Sequence, residues 1–80
     1  MEQQNIINET LLKQDLLEMS EKFGDDYGEL NFQLDTLSRS KKYSKDFVLM
    51  VAQQHNIQLN KKTKKSALLE LLIRFKHNLI

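Results

Sequence analysis

The sequence predicts a small all-α domain of four helices. Proline is absent and glycine occurs only twice, whereas Leu, Lys, Gln and Glu are frequent, and this composition favours helix. Apolar residues recur every three to five positions, the spacing of one face of an amphipathic helix. Because the chain has 80 residues, we expect a single domain with a small core, which buries only about 60–65% of the surface of the unfolded chain.

The first helix is predicted from apolar spacing and from a glycine at its end. Phe23-Gly24 marks the C-terminus, where Gly24 is free to take the left-handed cap conformation. The apolar face consists of Ile7, Leu11 or Leu12, Leu16, Met19 and Phe23.

The second helix is predicted to begin at a capping box. Asp26, followed three residues later by Glu29, has the pattern in which the two side chains bond the first backbone N–H groups of a helix. The inward side chains are Tyr27, Leu30, Leu34 and Leu37. Residues 30–34 also alternate as a strand would, and Ser38 to Tyr43 is predicted to be a polar, basic linker.

The third helix is predicted to begin after Ser44, a suitable N-cap, and to stop at His55-Asn56. Asn tolerates the left-handed cap conformation, so Ile57 is expected to pack back on the helix. The inward side chains are Phe47, Val48, Met50, Val51 and Ala52.

The last helix is predicted to follow an extended loop. Ile57 to Lys62 has no helical spacing, and either Thr63 or Ser66 caps the helix that follows. Its apolar face consists of Leu68, Leu71, Leu72, Phe75 and Leu79. Residues 44–80 are therefore expected to form a C-terminal helix–extended-loop–helix unit.

Acidic and basic residues are segregated along the chain. Residues 1–36 contain nine Asp or Glu and two Lys, a net charge of −7, whereas residues 37–80 contain ten Lys or Arg and two Asp or Glu, a net charge of +8. Such asymmetry indicates a polyanionic partner for the basic half, most often nucleic acid or an anionic membrane. The domain is thus predicted to combine an acidic helical hairpin over residues 1–37 with a basic unit over residues 44–80.

Four lysines surround the predicted N-terminus of the last helix: Lys61, Lys62, Lys64 and Lys65. The helix macrodipole places about half a positive charge there, so each nearby cation loses about 0.3–1 kcal/mol before salt screening. Lysines beside free backbone N–H groups are instead suited to holding a phosphate. The alternative is a solvated lysine cluster that only keeps the chain in solution.

The same region has a recognisable order of elements. A helix ends in Asn56-Ile57, a basic loop runs to Lys64, and Lys65-Ser66-Ala67-Leu68-Leu69 opens the next helix. This order resembles the helix–extended-loop–helix superfamily, which includes the SAP domain, the LEM domain and the N-terminal subdomain of the transcription terminator Rho. The resemblance covers about residues 44–75, and the loop length is closer to the Rho subdomain than to SAP. Asn56 stands where the superfamily usually has glycine, and the loop glycine of SAP is absent.

The resemblance implies a nucleic-acid-binding surface on the loop and on the first turn of the last helix. Its residues would be the four lysines, with Thr63 or Ser66, and DNA would be preferred over RNA. LEM-type relatives bind protein instead, so the fold alone does not determine the partner.

A second basic stretch, Ser38 to Lys45, is predicted to extend this surface through Lys41, Lys42 and Lys45. Tyr43 within it has two interpretations. Its ring either stacks on a base of a single-stranded nucleic acid or packs against the third helix.

Other function classes lack their motifs. The chain has no cysteine, which excludes disulfides and Cys-based metal sites and fits a reducing compartment. His55 and His77 are far apart, so we expect no metal and no cofactor. Because no Gly-rich phosphate loop, nucleophile elbow or HExxH motif occurs, we expect no enzyme. The polar N-terminus does not resemble a signal peptide and no stretch approaches the roughly 20 apolar residues of a membrane span, so we expect a cytoplasmic location without membrane association.

The two ends of the chain allow several interpretations. The acidic residues of the first helix form an ordinary solvated face, a docking surface for a basic partner, or a mask over the lysines of the chain itself; they are Glu2, Glu9, Asp15, Glu18 and Glu21. The apolar end, Leu79-Ile80, either packs under the first helix or forms part of an oligomer interface.

The predicted function is that of a non-catalytic nucleic-acid-binding accessory or regulatory protein in a bacterial or phage-like system. The alternative is a protein–protein interaction adaptor that uses the acidic N-terminal helix or an apolar homodimer face. The sequence leaves both open.

Overall fold

A computed structural model of the chain describes the backbone of residues 2–78 and the side chains of residues 8–78. These residues form four α-helices and no strand: α1 over Glu2–Phe23, α2 over Tyr27–Arg39, α3 over Lys45–Gln54 and α4 over Lys64–Asn78. The helix α4 packs against each of the other three, and α1 also packs against α2. The predicted all-α class with four helices is confirmed. The predictions for the side chains of Glu2 and Ile7, and for Leu79-Ile80, concern residues outside the part of the chain that is described.

The core is built around the apolar face of α4. The buried apolar side chains of α4 are Ala67, Leu68, Leu71, Leu72 and Phe75. Those of the other helices are Leu12 and Leu16 from α1, Leu30 and Leu34 from α2, and Val48, Val51 and Ala52 from α3. Burial of a Leu, Val or Phe side chain stabilises the fold by about 1.5–3 kcal/mol. The predicted inward faces are therefore largely confirmed, and of Leu11 and Leu12 it is Leu12 that is buried. Five of the predicted inward side chains that the structure describes are only half-buried: Met19, Phe23, Leu37, Phe47 and Met50.

Helix α2 differs from its prediction at both ends. Tyr27 was expected to point inward, but it is 80% exposed because it is the first residue of the helix and lies at the edge of the bundle. Ser38 and Arg39 are helical rather than part of the linker, which begins at the C-cap residue Ser40. Residues 30–34 are helical throughout, so the strand alternative is wrong.

The turn between α1 and α2 confirms one predicted cap and corrects another. Asp26 is the N-cap of α2, and its Oδ1 accepts the backbone N–H of Glu29 at 3.1 Å. The second half of the predicted capping box does not form, because the N–H of Asp26 donates to the carbonyl of Phe23 and the carboxylate of Glu29 accepts from the side chain of Gln33. Gly24 does not adopt a positive φ, so the left-handed cap predicted there is wrong. Glycine is required for a different reason, because a Cβ at this position would collide with the backbone carbonyl oxygen of Ser20.

The caps of α3 form as predicted. The hydroxyl of Ser44 accepts the N–H of Phe47 at 3.1 Å. Asn56 has a φ of 60°, and the N–H groups of Asn56 and Ile57 donate to the carbonyls of Gln53 and Ala52 at 3.0 Å each. These are the two hydrogen bonds of a Schellman motif, in which Ile57 packs back on the core.

The start of α4 resolves the choice between two possible caps. Thr63 immediately precedes the helix, and its Oγ1 accepts the N–H of Ser66 at 3.2 Å. Ser66 itself lies in the first turn. Residues 55–63 between α3 and α4 are not helical, as expected of the loop.

Candidate nucleic-acid interface

The fold brings the two basic stretches against each other. The Nζ of Lys64, at the start of α4, donates to the carbonyl oxygen of Ser40 at 2.8 Å, across 24 residues of sequence. Ser40 caps the C-terminus of α2 and opens the linker that carries Lys41 and Lys42. The linker and the N-terminus of α4 are therefore neighbours.

This contact also explains why lysines occupy a helix N-terminus. The C-terminus of α2 carries the negative end of its own dipole, which favours nearby cations. Lys64 is half-buried there, and burial lowers the pKa of its ammonium group. The Nζ of Lys65 lies 3.9 Å from Oδ1 of Asp35, which also pairs with Arg39 at 2.7 Å. The unfavourable interaction of Lys64 and Lys65 with the α4 dipole is thus offset by their contacts with α2 and its C-cap.

Lys61 and Lys62 differ from this pair. Both are exposed, and neither makes a hydrogen bond or an ion pair within the part of the chain that the structure describes. Lys41 and Lys45 in the linker and at the start of α3 are also exposed and unpaired there. Lys62 lines a groove that also contains Asp46, but the two residues form no ion pair. Four of the predicted lysines therefore remain available to an external anion.

The two hydroxyl residues of the predicted site have a structural role. The oxygen of Thr63 accepts a hydrogen bond from the backbone of Ser66, which makes Thr63 the N-cap. Thr63 is exposed and Ser66 is half-buried. One of the backbone N–H groups that a phosphate would bind at this helix end, that of Ser66, is therefore already hydrogen-bonded.

Tyr43 is not available to stack on a base. Its side chain is 2% exposed, and its ring stacks on that of Phe47 in α3 with centroids 6.2 Å apart. Its hydroxyl donates to Oδ2 of Asp15 at 2.6 Å. Burial, followed by this hydrogen bond and by the negative charge of Asp15, raises the pKa of Tyr43. The first interpretation of Tyr43 is wrong, and packing against the third helix is what the structure shows.

Asp15 links the acidic helix to the basic linker. Its Oδ2 accepts hydrogen bonds from the hydroxyl of Tyr43 and from the Nζ of Lys42, the latter at 2.8 Å. The Nζ of Lys42 also lies 5.5 Å from the centre of the Tyr43 ring. Of the three interpretations of the acidic residues, a mask over the lysines of the chain itself is the one that includes a contact between Asp15 and Lys42, whereas the hydrogen bond to Tyr43 was not predicted. In the sequence, the only sign of a buried contact was a single tyrosine, Tyr43, within a basic stretch. That sign did not identify Asp15 as the partner.

A second link joins α1 to the end of α3. The Nε2 of His55 lies 3.2 Å from Oε1 of Glu9, and the His55 ring meets the edge of Phe75 at 5.2 Å between centroids. His55 is the C-cap of α3, in agreement with the predicted helix-end position. No group of three or more potential metal ligands occurs among the residues described.

The acidic helix covers little of the basic surface. Glu18 and Glu21 are exposed, whereas Glu9 and Asp15 contact the C-terminal half. Of the lysines of the predicted site, Lys42 alone pairs with α1 within the described residues. A mask over the lysines would therefore be limited to the linker.

Comparison of the chain with protein-family models, with curated proteins and with solved structures found no match. Within residues 2–78, none of the helices combines the length and apolar character required to cross a bilayer.

Proposed function

We propose that the chain is a non-catalytic nucleic-acid-binding protein whose basic surface combines the α2–α3 linker with the loop before α4. The observation that supports this most strongly is the contact between Lys64 and Ser40, which joins two basic stretches that are separate in sequence. The stretches that this contact joins carry four exposed lysines that are unpaired in the part of the chain described: Lys41, Lys45, Lys61 and Lys62. Such a cluster attracts a polyanion and gains free energy by releasing its counterions.

The chemistry of this surface favours phosphate contacts over base contacts. Tyr43 is the only aromatic residue of the two basic stretches, and it is buried. Without an exposed ring, single-stranded bases have no stacking platform here. We therefore propose binding through the sugar–phosphate backbone with little dependence on base sequence, with DNA preferred over RNA because of the superfamily resemblance.

The test is fluorescence anisotropy with duplex and single-stranded oligonucleotides of random sequence over a range of salt concentrations. Four phosphate contacts give a slope of about −3.6 for log K against log salt on duplex DNA. The double variant Lys61→Ala/Lys62→Ala should reduce the magnitude of this slope by about 2 and weaken binding by roughly tenfold per contact at low salt.

The matched control removes the same charge elsewhere. Lys22→Ala/Arg74→Ala also deletes two exposed cations, but neither belongs to the basic stretches. It should leave the slope almost unchanged. If both double variants lost the same affinity, the effect would be one of net charge and not of this surface. If the unmodified chain did not bind at low salt, the protein–protein adaptor would be favoured.

A further inference from the structure

One carboxylate of α1 holds the basic linker between α2 and α3. Oδ2 of Asp15 accepts a hydrogen bond from the hydroxyl of Tyr43 at 2.6 Å and another from the Nζ of Lys42 at 2.8 Å. Both donors lie in the linker, whereas Asp15 belongs to the acidic first helix. An acidic side chain of the N-terminal half therefore occupies a lysine of the predicted nucleic-acid surface.

The carboxylate of Asp15 is held in place independently of Lys42. Tyr43 is 2% exposed and its ring stacks on that of Phe47, so its hydroxyl is a fixed donor. An exposed ion pair contributes little, partly because two long side chains must be ordered to form it. Here the packed tyrosine orders Asp15, so Lys42 is the only member of the pair that still loses conformational freedom. An anion thus lies beside Lys42 whether or not a nucleic acid is bound.

Lys42 is nevertheless open to an external anion. Its side chain is 50% exposed, whereas that of Asp15 is 28% exposed. Its backbone N–H donates to the hydroxyl of Ser40 at 3.1 Å, and the carbonyl of Ser40 accepts the Nζ of Lys64. Lys42 therefore lies where the two basic stretches meet, and a phosphate that approaches from solvent can replace the carboxylate as the partner of its ammonium group.

We propose that Asp15 competes with nucleic acid for Lys42 and thereby holds the affinity of the basic surface below what its lysines would otherwise provide. The inference rests on the proposed function and adds a built-in inhibitory contact to it. The carboxylate opposes binding in two ways, because it occupies the ammonium group and because its negative charge repels the phosphate that would replace it. Lys42 thus contributes less to binding than Lys41, its exposed neighbour in the same linker.

The test is fluorescence anisotropy of the full chain with a DNA duplex of random sequence at low salt. Asp15→Asn keeps a side-chain oxygen that can accept the Tyr43 hydroxyl but removes the charge that holds Lys42, and it should tighten binding by about three- to fivefold. The matched control is Glu18→Gln, which removes the same charge about one turn further along α1. Glu18 is exposed and pairs with no lysine among the described residues, so its substitution should tighten binding by less than about twofold.

Substitutions in the linker test whether Lys42 is the group that Asp15 occupies. In the Lys42→Ala background, the gain from Asp15→Asn should fall to that of Glu18→Gln, because the lysine that it would release is absent. In the otherwise unmodified chain, Lys42→Ala should weaken binding less than Lys41→Ala does. This second comparison decides the question alone if circular dichroism shows that Asp15→Asn is not folded.

The outcomes separate this inference from the proposed function. If the unmodified chain binds but Asp15→Asn binds no more tightly than Glu18→Gln, the inference is overturned and the proposed function stands. The same holds if the gain persists without Lys42, or if Lys42→Ala weakens binding as much as Lys41→Ala. If none of these chains binds the duplex at low salt, the proposed function is rejected and the inference with it.

Discussion

The two lysine pairs at the start of α4 look alike in sequence but have different surroundings. Lys64 and Lys65 contact the C-terminal end of α2, through the carbonyl of Ser40 and the carboxylate of Asp35. Lys61 and Lys62, in the loop, are exposed and unpaired within the described residues. One pair connects two helices, and the other is available to a ligand.

The difference shows how a charge against a helix dipole can be tolerated. The positive end of α4 disfavours Lys64, but the same ammonium group lies at the negative end of α2, where a cation is favoured. A misplaced charge is therefore evidence for function only after contacts with neighbouring elements have been considered. By that criterion, Lys61 and Lys62 are stronger candidates for ligand binding than Lys64.

The largest expected effect on stability concerns Tyr43, which fixes the linker that presents Ser40 to Lys64. Tyr43→Phe removes the hydrogen bond to Asp15 and should lower the free energy of unfolding by about 1–2 kcal/mol. Because the folded state raises the pKa of Tyr43, stability should be intact below its ordinary value of 10.0 and should fall as the pH rises above it. Urea denaturation at about pH 7, 9 and 11 measures both effects.

The comparison of the unmodified chain with the Tyr43→Phe variant isolates this group from the other titrating residues. The variant should lack the part of the alkaline decline that belongs to the phenol, so the stabilities of the two chains should converge above pH 10. Parallel curves would show that the hydroxyl of Tyr43 does not couple to folding.

Local sequence predicted the helices and most of their ends. Ser44 and Asn56 act within a few residues of themselves, so their roles can be deduced from residue type and position alone. Gly24 was misjudged because residue type does not distinguish a positive φ from a close backbone approach. In this turn the restriction comes from the carbonyl of Ser20.

The contacts that shape the candidate site could not be predicted in this way. Lys64 with Ser40, Asp15 with Tyr43 and Glu9 with His55 are 24, 28 and 46 residues apart. Apolar spacing indicates which face of a helix is buried, but it does not give the neighbour or the height at which two helices meet. For that reason the two basic stretches could be found in the sequence, but the division between engaged and free lysines required the fold.

The next largest effect is a direct test of that division. Lys64→Met keeps most of the side-chain volume, removes the hydrogen bond to Ser40, and should lower the free energy of unfolding by about 1 kcal/mol. Lys61→Met is the matched control, and its stability should stay within about 0.5 kcal/mol because the side chain is exposed. Binding should show the reverse order, with the salt dependence reduced more by Lys61→Met. A loss of stability in both variants would mean that the loop lysines form one structural unit.

The smallest expected effect is that of a substitution at Lys65. It decides whether Lys65 belongs with Lys64, which contacts α2, or with the free lysines of the loop. Its ammonium group is 3.9 Å from Asp35, the two side chains are 39% and 33% exposed, and Asp35 already has Arg39 as a closer partner. Exposed ion pairs contribute little, so Lys65→Gln should change the free energy of unfolding by less than about 0.5 kcal/mol. Its effect on the salt slope of DNA binding should be about half that of Lys61→Gln or less, because Asp35 neutralises part of the charge. A reduction equal to that of Lys61→Gln would place Lys65 with the free lysines and leave Lys64 as the one structural lysine among the four.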